Sequence, residues 1–434
     1  MIIWLYRLLF WPIFLLTLPY YLLRMIKRGG NGAYWWHRFG FVPAVIKTHA
    51  PVIWIQAVSV GEVEALAPLL SALKQRNFYV YLTTTTSTGF KVAHKKYSQL
   101  ADQIAYFPLD FFNRIAWHRI HPQLALLMES ELWPEHLHSA RKYHVKALLI
   151  NGRCSDRSLS RYKKFPRLSK YLLGHLSYIL AASELDKKRY CEIGMPEDRV
   201  INVGNLKIDA AITKFTQQKT ITRSQLQWDQ AFILLGASTW PGEEELLIHA
   251  YISAKRECPQ LKLILVPRHV ERTQEVVRLL KKAQLSYTLR TAFNPHVDVC
   301  LVNTTGELSQ FVALSDIIFI GKSLAPNKGG QTPIEAAAAG KPIIYGPNMQ
   351  NFEEICHNLE QNRGALRCNS KDDVFNQLLH WIKNPQLAQT YGQDAQHWAH
   401  LYTGVTQRIL PYIEQAIRTE SAINSRDSSK LAQR

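Results

Sequence analysis

The sequence predicts an α/β protein of two Rossmann-like, doubly wound domains, and three observations carry that reading. Solid runs of branched and aromatic apolar residues recur along the chain, as expected for strands buried on both faces. Stretches of helical composition separate them, the alternation that gives a parallel sheet. The layout occurs once on each side of polar residues 213–228, and 434 residues suffice for two domains of roughly 200 each.

In chain order, residues 2–23 are apolar except for Arg7 and Thr17, a run about long enough to enter or span a bilayer. Trp4, Trp11, Tyr20 and Tyr21 have the character of interfacial anchors, and Arg24, Lys27, Arg28 and Arg38 follow. This pattern predicts a membrane-anchoring helix with the protein body on the cytoplasmic side of the inner membrane. No small-residue cleavage site follows the run, which argues against a secretory signal. Arg7, Pro12 and Pro19 leave both a tilted and a half-inserted helix open.

The formal charge of +18 is unevenly placed. Residues 1–210 hold 28 lysines and arginines against 14 acids, and the remainder 24 against 20. A basic first half implies an anionic partner there. The six scattered cysteines form no CxxC and no metal spacing, consistent with a reducing compartment.

In the first half, strands are expected at Val52–Val58, Tyr79–Thr83, Leu124–Met128, Ala147–Ile150, Tyr178–Ala182 and Val200–Val203, with a helix over Val63–Arg76. Ser59-Val-Gly-Glu62 has the form of a capping box. It also puts Glu62 at the carboxyl end of the first strand, the sheet edge where ligands bind in open α/β folds. Glu129 and Glu131 follow another buried strand at the same edge. Asn151–Lys170 reads as a basic loop with seven cations and one acid, Asp156. A solvated face fits the same stretch, but its density beside a membrane anchor favours an anionic ligand. His118, His121, His136, His138 and His144 show no metal frame and read as surface or structural residues.

In the second half, strands are expected at Phe232–Leu235, Leu261–Val266 and Val297–Val302, with helices from about 371 and 385. The centre of the half is residues 315–355. Strand Ile317–Ile320 leads to a loop with glycines at 321, 329 and 330, then Pro333 as the first residue of a helix carrying Glu335, then strand Ile343–Tyr345. Glycines and a helix N-terminus accommodate a phosphate, and Glu335 in the first turn could accept ribose hydroxyls. An ordinary βαβ turn with a dipole-compensating Glu fits the same spacing. There is neither a dinucleotide fingerprint nor a P-loop, and no Asp-x-Asp follows a strand to hold a metal and sugar nucleotide.

Taken together, these pieces resemble the Kdo transferases, which move 3-deoxy-D-manno-octulosonic acid from CMP-Kdo onto lipid A precursor in lipopolysaccharide synthesis. The resemblance covers nearly the whole chain: the N-terminal run, Ser59–Glu62, Glu129–Pro134, Gly204–Lys207, Gly236–Thr239, Glu243–Glu245, Val266–His269, Gly306–Leu308, Gly329–Glu335, Gly346-Pro and Asn351-Phe. It implies a GT-B architecture: two Rossmann-like domains facing across a cleft, the acceptor bound by the first and the nucleotide by the second. The expected boundaries are an anchor at 1–28, an acceptor domain at 29–212, a linker at 213–228, a donor domain at 229–418 and a disordered polar tail at 419–434.

In that scheme Glu62 is the general base of an inverting transfer without metal or cofactor. Glu129, Glu131, Arg153 and Lys207 support the acceptor or the transition state. Ser238, Thr239, Pro267, Arg268, His269, Gly306, Glu307, Gly330, Gln331, Thr332 and Glu335 bind the donor. Three departures fall around that donor site. Family members often carry Asp where Asn303 stands, Gly where Lys322 stands, and His-Asn where Gln331-Thr332 stands. Lys322 and Lys328 then add phosphate charge. Rival readings are another membrane GT-B enzyme, a sugar-nucleotide epimerase, or a basic membrane-tethered protein binding anionic lipid or nucleic acid. No nucleic-acid module is recognisable.

Overall fold

The computed structural model describes residues 2–27, 34–46, 48–217 and 221–431. The chain divides into two compact units, Met1–Ala210 with Gly404–Arg434, and Ala211–Thr403. Each holds one seven-stranded parallel sheet.

The first sheet comprises β1 (Val52–Ala57), β2 (Tyr79–Thr84), β3 (Gln103–Tyr106), β4 (Leu124–Met128), β5 (Lys146–Gly152), β6 (Tyr178–Ala181) and β7 (Val200–Asn202). Its order is β3-β2-β1-β4-β5-β6-β7. Every residue of β1 is buried because alternate side chains enter different cores. Ile53 and Ile55 pack on one face of the sheet, Val52 and Trp54 on the other. That is why the run reads as solidly apolar, broken only by Gln56.

The second sheet comprises β8 (Phe232–Thr239), β9 (Leu261–Pro267), β10 (Tyr287–Leu289), β11 (Val299–Leu301), β12 (Ile317–Ile320), β13 (Ile343–Tyr345) and β14 (Ala365–Arg367), in the order β10-β11-β9-β8-β12-β13-β14. In each sheet the chain leaves the first strand to one side and later returns on the other. The reversals lie between β1 and β4 and between β8 and β12, and a crevice opens there at the carboxyl ends of the strands.

Several expectations need correction. The basic "loop" 151–170 is largely two helices, Asp156–Lys164 and Pro166–Leu173. Ser155 caps the first by accepting the Ser158 N–H, and Pro166 starts the second. The single helix expected over Val63–Arg76 is Val60–Ala65 followed by Ala67–Gln75, with Pro68 starting the second piece. Arg38, expected among the cations flanking the apolar run, is instead buried: it stacks 4.1 Å from the Tyr106 ring centroid and donates to the Thr85 carbonyl at 2.6 Å. Arg28 lies outside the described residues.

The domain boundaries also move. The helix Leu206–Gln217 runs into the expected linker. The helix Val405–Leu431, expected to fall partly in the donor domain and partly in a disordered tail, belongs to the first unit. Val405, Ile409, Leu410, Ile413, Ala416 and Ile417 form a stripe at helical spacing buried against the first sheet. The Asp209 carboxylate caps this helix, accepting the N–H groups of Gly404, Val405 and Thr406 at 2.7–3.2 Å.

The N-terminal helix Ile2–Lys27 is long and apolar enough over Ile2–Tyr20 to cross a membrane, by length and composition. It is also built into the first unit. Tyr6 donates to Asp110 Oδ2 at 2.8 Å, and Arg7 makes two hydrogen bonds to Glu135 at 2.7 and 2.9 Å. The Phe10 ring stacks on Phe111 with centroids 4.8 Å apart.

Candidate active site

At the reversal of the first sheet, the chain leaves β1 through Val58 and Ser59 and turns into the helix Val60–Ala65. Glu62, in the first turn, is only 8% exposed. The expected capping box is not formed as such, since the Ser59 hydroxyl accepts no helix N–H. Instead Ser59 Oγ donates to Glu62 Oε1 at 2.9 Å, and the Val58 N–H donates to Oε2 at 2.9 Å. The Val58 carbonyl is held in turn by the Thr86 hydroxyl at 3.0 Å. Burial lifts the Glu62 carboxyl to about 7, against the pull of the Val58 N–H, and the charges of Glu129 and Glu131 push it the same way.

The loop after β4 supplies those two carboxylates. Glu129 adopts φ 54°, with its N–H donating to Ile150 and its carbonyl accepting the Arg153 N–H, both at 3.0 Å. Its backbone thus ties β4 to the end of β5 and its side chain is aimed by that tie. Glu129 Oε1 accepts Lys207 Nζ at 2.7 Å. Lys207 is fixed from below: Asn151 Oδ1 accepts the Leu206 N–H, and Asn205 Oδ1 the Lys207 N–H. Glu131 Oε2 accepts Trp133 Nε1 at 2.8 Å, and burial raises its carboxyl as well. Glu62, Glu129, Glu131, Arg153 and Lys207, scattered over 146 positions of sequence, therefore meet at one sheet edge.

At the reversal of the second sheet, β8 ends in Ser238 (φ 56°) and Thr239, and β9 ends in Pro267. The Thr239 carbonyl accepts the Arg268 N–H at 3.1 Å, which joins the two strand ends. Arg268 and His269 are exposed, and the His269 ring meets Trp240 edge-on at 5.3 Å. Gly321 is obligatory: a Cβ there would lie 2.3 Å from the Ser238 carbonyl oxygen. Gly330 (φ 70°) donates its N–H to the Lys322 carbonyl at 3.1 Å, and a Cβ there would strike Met349. Gln331 and Thr332 follow, with Thr332 Oγ1 accepting the Ile334 N–H at 3.3 Å.

Two expectations change in this unit. The helix after the glycine loop is only Ile334–Ala338, with Pro333 as its cap and not its first residue. A five-residue helix contributes little dipole, so charge for an anion must come from side chains. Glu335 already pairs with Lys214 Nζ at 2.8 Å. Gly306 and Glu307 sit at the start of the helix Leu308–Leu314. Glu307 is held there by Arg290 at 3.0 Å. Asn303 exchanges two hydrogen bonds with Thr291 through its side chain.

The residue that sequence reasoning missed is Glu243. It is fully buried, and its two oxygens accept four backbone N–H groups, from Trp240, Lys322, Ser323 and Leu324, at 2.8–3.1 Å. The signal was present in Glu243-Glu-Glu245, three acids where a helix start needs one. Among the described residues no group of three or more His, Cys, Asp or Glu is placed to hold a metal ion.

Two doubly wound parallel sheets in one chain, each with polar loops at its reversal, give the chain a GT-B fold. A putative UDP-N-acetylglucosamine 2-epimerase from Listeria monocytogenes has the same fold. It is 13% identical with a TM-score of 0.61, over 85% of this chain and 97% of that one. The sequence model described as 3-deoxy-D-manno-octulosonic-acid transferase matches residues 33–210. A 3-deoxy-D-manno-octulosonic acid transferase from Bordetella pertussis is 32% identical over 422 residues, 91% of this chain and 96% of that protein. One from Haemophilus influenzae is 30% identical over 392 residues, 88% and 91% of the respective chains. The chain belongs to the 3-deoxy-D-manno-octulosonic acid (Kdo) transferase family, and it is a glycosyltransferase.

Proposed function

We propose that this glycosyltransferase takes Kdo from CMP-Kdo and places it, with inversion, on a lipid A precursor in lipopolysaccharide assembly. The observation that carries the mechanism is Glu62: a carboxyl at the reversal of the first sheet, lifted to about 7 by burial, with acceptor capacity left over. The acceptor hydroxyl oxygen attacks the anomeric carbon of Kdo while its proton passes to a Glu62 oxygen. The bond from that carbon to the CMP phosphate oxygen breaks, and its electron pair leaves with CMP. Charge growing on the phosphate is met by the Arg268 guanidinium, with Gly330, Gln331 and Thr332 lining the site. Ser238, Thr239, Pro267, His269, Gly306 and Glu307 complete the donor pocket, and Glu335 takes the ribose hydroxyls. Lys207 and Arg153 meet the acceptor phosphates, with Glu129 holding Lys207 in place and Glu131 beside the acceptor hydroxyls.

The same reading puts the first unit, residues 29–210 with the returning C-terminal helix, on the acceptor and the second on the donor. The helix Ile2–Lys27 holds the enzyme at the inner membrane, with the body on the cytoplasmic side. Its outward residues Trp4, Leu8, Leu15 and Leu16 are 62–81% exposed, an apolar surface suited to lipid.

The test is a transfer assay in detergent with lipid A precursor, CMP-Kdo and EDTA, followed by mass measurement of the lipid. A gain of one or more Kdo residues with release of CMP is expected. Consumption of a UDP-sugar in place of CMP-Kdo, or CMP release without a heavier lipid, would defeat the proposal.

A further inference from the structure

Lys322 is held in a way that a solvated loop lysine is not. It follows β12 at the reversal of the second sheet, with φ 60°, a conformation that costs a non-glycine residue about 1 kcal/mol or more. Its N–H is taken by buried Glu243 at 2.8 Å, and its carbonyl accepts the Gly330 N–H at 3.1 Å, so the backbone has no room to relax. Its ammonium lies 4.9 Å from the centroid of the Trp240 ring. No carboxylate among the described residues lies within ion-pair distance of it. The indole N–H of Trp240 is buried without a hydrogen-bond partner among the described residues, as is the hydroxyl of the adjacent Thr239. A buried donor left unpaired costs about 1–3 kcal/mol, so the loop keeps these groups at some expense in stability.

A cation with no carboxylate beside it, clamped at a sheet reversal and seated on an aromatic ring, is placed to meet an anionic oxygen. We infer that Lys322, held by Trp240 and Glu243, binds an anionic oxygen of the nucleotide-sugar donor. This deepens the proposed function and rests on its assignment of the donor to the second unit. A CMP-sugar of this kind offers two such oxygens, on the phosphate and on the carboxylate of the sugar. The ring restricts where the ammonium goes, so less side-chain freedom is lost when the anion arrives.

Lys322→Gly is the decisive variant. Glycine accepts φ 60° without strain, so the cation is removed while the fold is kept, and melting should be unchanged or slightly higher. Calorimetry with CMP and with cytidine, and the KM for CMP-Kdo in transfer, separate the two oxygens. About tenfold weaker CMP binding with cytidine binding unchanged places the ammonium on the phosphate. Unchanged CMP binding with a KM raised about tenfold places it on the sugar carboxylate. Lys322→Arg should recover most of either loss, and Trp240→Leu should weaken binding in the same direction by less. If Lys322→Gly matches wild type in both measurements while Glu335→Ala weakens CMP, the inference about Lys322 is wrong and the donor assignment stands. If Glu335→Ala also binds CMP normally, the donor assignment itself has failed.

Discussion

Glu62 and Glu243 occupy matching places in the two units. Each follows the first strand of its sheet, each lies in the first turn of the next helix, and each carboxyl is raised by burial. They differ in what their oxygens already hold. A carboxylate offers about four acceptor positions. Glu243 fills them with four backbone N–H groups, whereas Glu62 accepts one N–H and one hydroxyl. A saturated carboxylate fixes a loop, while a half-filled one can still take a proton. The two carboxylates share a position in the fold and differ in how many hydrogen bonds they already accept, and the proposed base role of Glu62 rests on that difference.

The largest expected effect tests the half-filled side. Glu62→Gln keeps the bond from Val58 and should lower single-turnover transfer by about 10²–10⁴, with CMP affinity intact. Wild-type transfer should climb as pH rises through about 7, where Glu62 becomes the accepting carboxylate, and the variant should lack that limb. Stability should move the other way. Between the ordinary 4.5 and the folded value near 7, folded protein keeps a proton that the unfolded chain has lost. Wild-type stability therefore falls as pH rises across that window and stays lower above it. Above pH 7 the variant should be more stable by roughly 1–3 kcal/mol. A variant that transfers normally, or melts lower at pH 8, would remove Glu62 from the base role.

The next effect tests the saturated side. Glu243→Gln turns one acceptor oxygen into an N–H donor facing backbone N–H groups. At least one of these loses its partner in a buried site, and the second unit should lose about 2–4 kcal/mol. CMP protection of the remaining fold should weaken, since Lys322–Leu324 are no longer held. In contrast to Glu62→Gln, raising the CMP-Kdo concentration should restore part of the turnover. Thermal melts with and without CMP check the loss of stability and of protection, and transfer rates at rising CMP-Kdo check the turnover. Wild-type stability would mean that the four bonds contribute little and that the contrast with Glu62 is one of geometry only.

Much of this contrast was legible in the sequence. The solid apolar runs gave the central strands because β1, β4, β8 and β12 are buried on both faces. The short outer strands β3, β10 and β14 carry too few apolar residues to register. Glu62, Glu129 and Glu131 could be named because each directly follows a strong strand. The use of Glu243 could not be read, because its partners Lys322–Leu324 lie about 80 residues away and act through backbone N–H groups, which leave no mark on residue type. The Lys207–Glu129 and Lys214–Glu335 pairs were hidden for a related reason: any long cation within reach would serve.

Glu135 tests the comparison most finely, since it is a third buried carboxylate with a different solution. It is completely buried yet held by a side chain from the N-terminal helix, through two bonds from Arg7, with Arg114 Nε farther off at 3.7 Å. Neither saturated by backbone nor half-filled, it ties the helix Ile2–Lys27 to the first unit through a buried ion pair. Arg7→Met keeps the apolar stem and removes the paired charge. Loss of a partner to a buried carboxylate can cost 3–5 kcal/mol, but Arg114 remains nearby and the Arg7 side chain is itself 16% exposed. The expected loss is therefore about 1–2 kcal/mol, a drop in Tm of about 2–6 °C for a unit of this size. Adding Glu135→Gln should recover most of it, because no charge is then left buried and unpaired. Combined with Glu62→Gln, by contrast, Arg7→Met should be additive, since the two sites share no partner. The measurement is a double-mutant cycle of melts at pH 8 in one detergent. If Arg7→Met leaves the melt untouched, the helix is held by its aromatic contacts with Phe111 and Phe112, and Glu135 relies on Arg114.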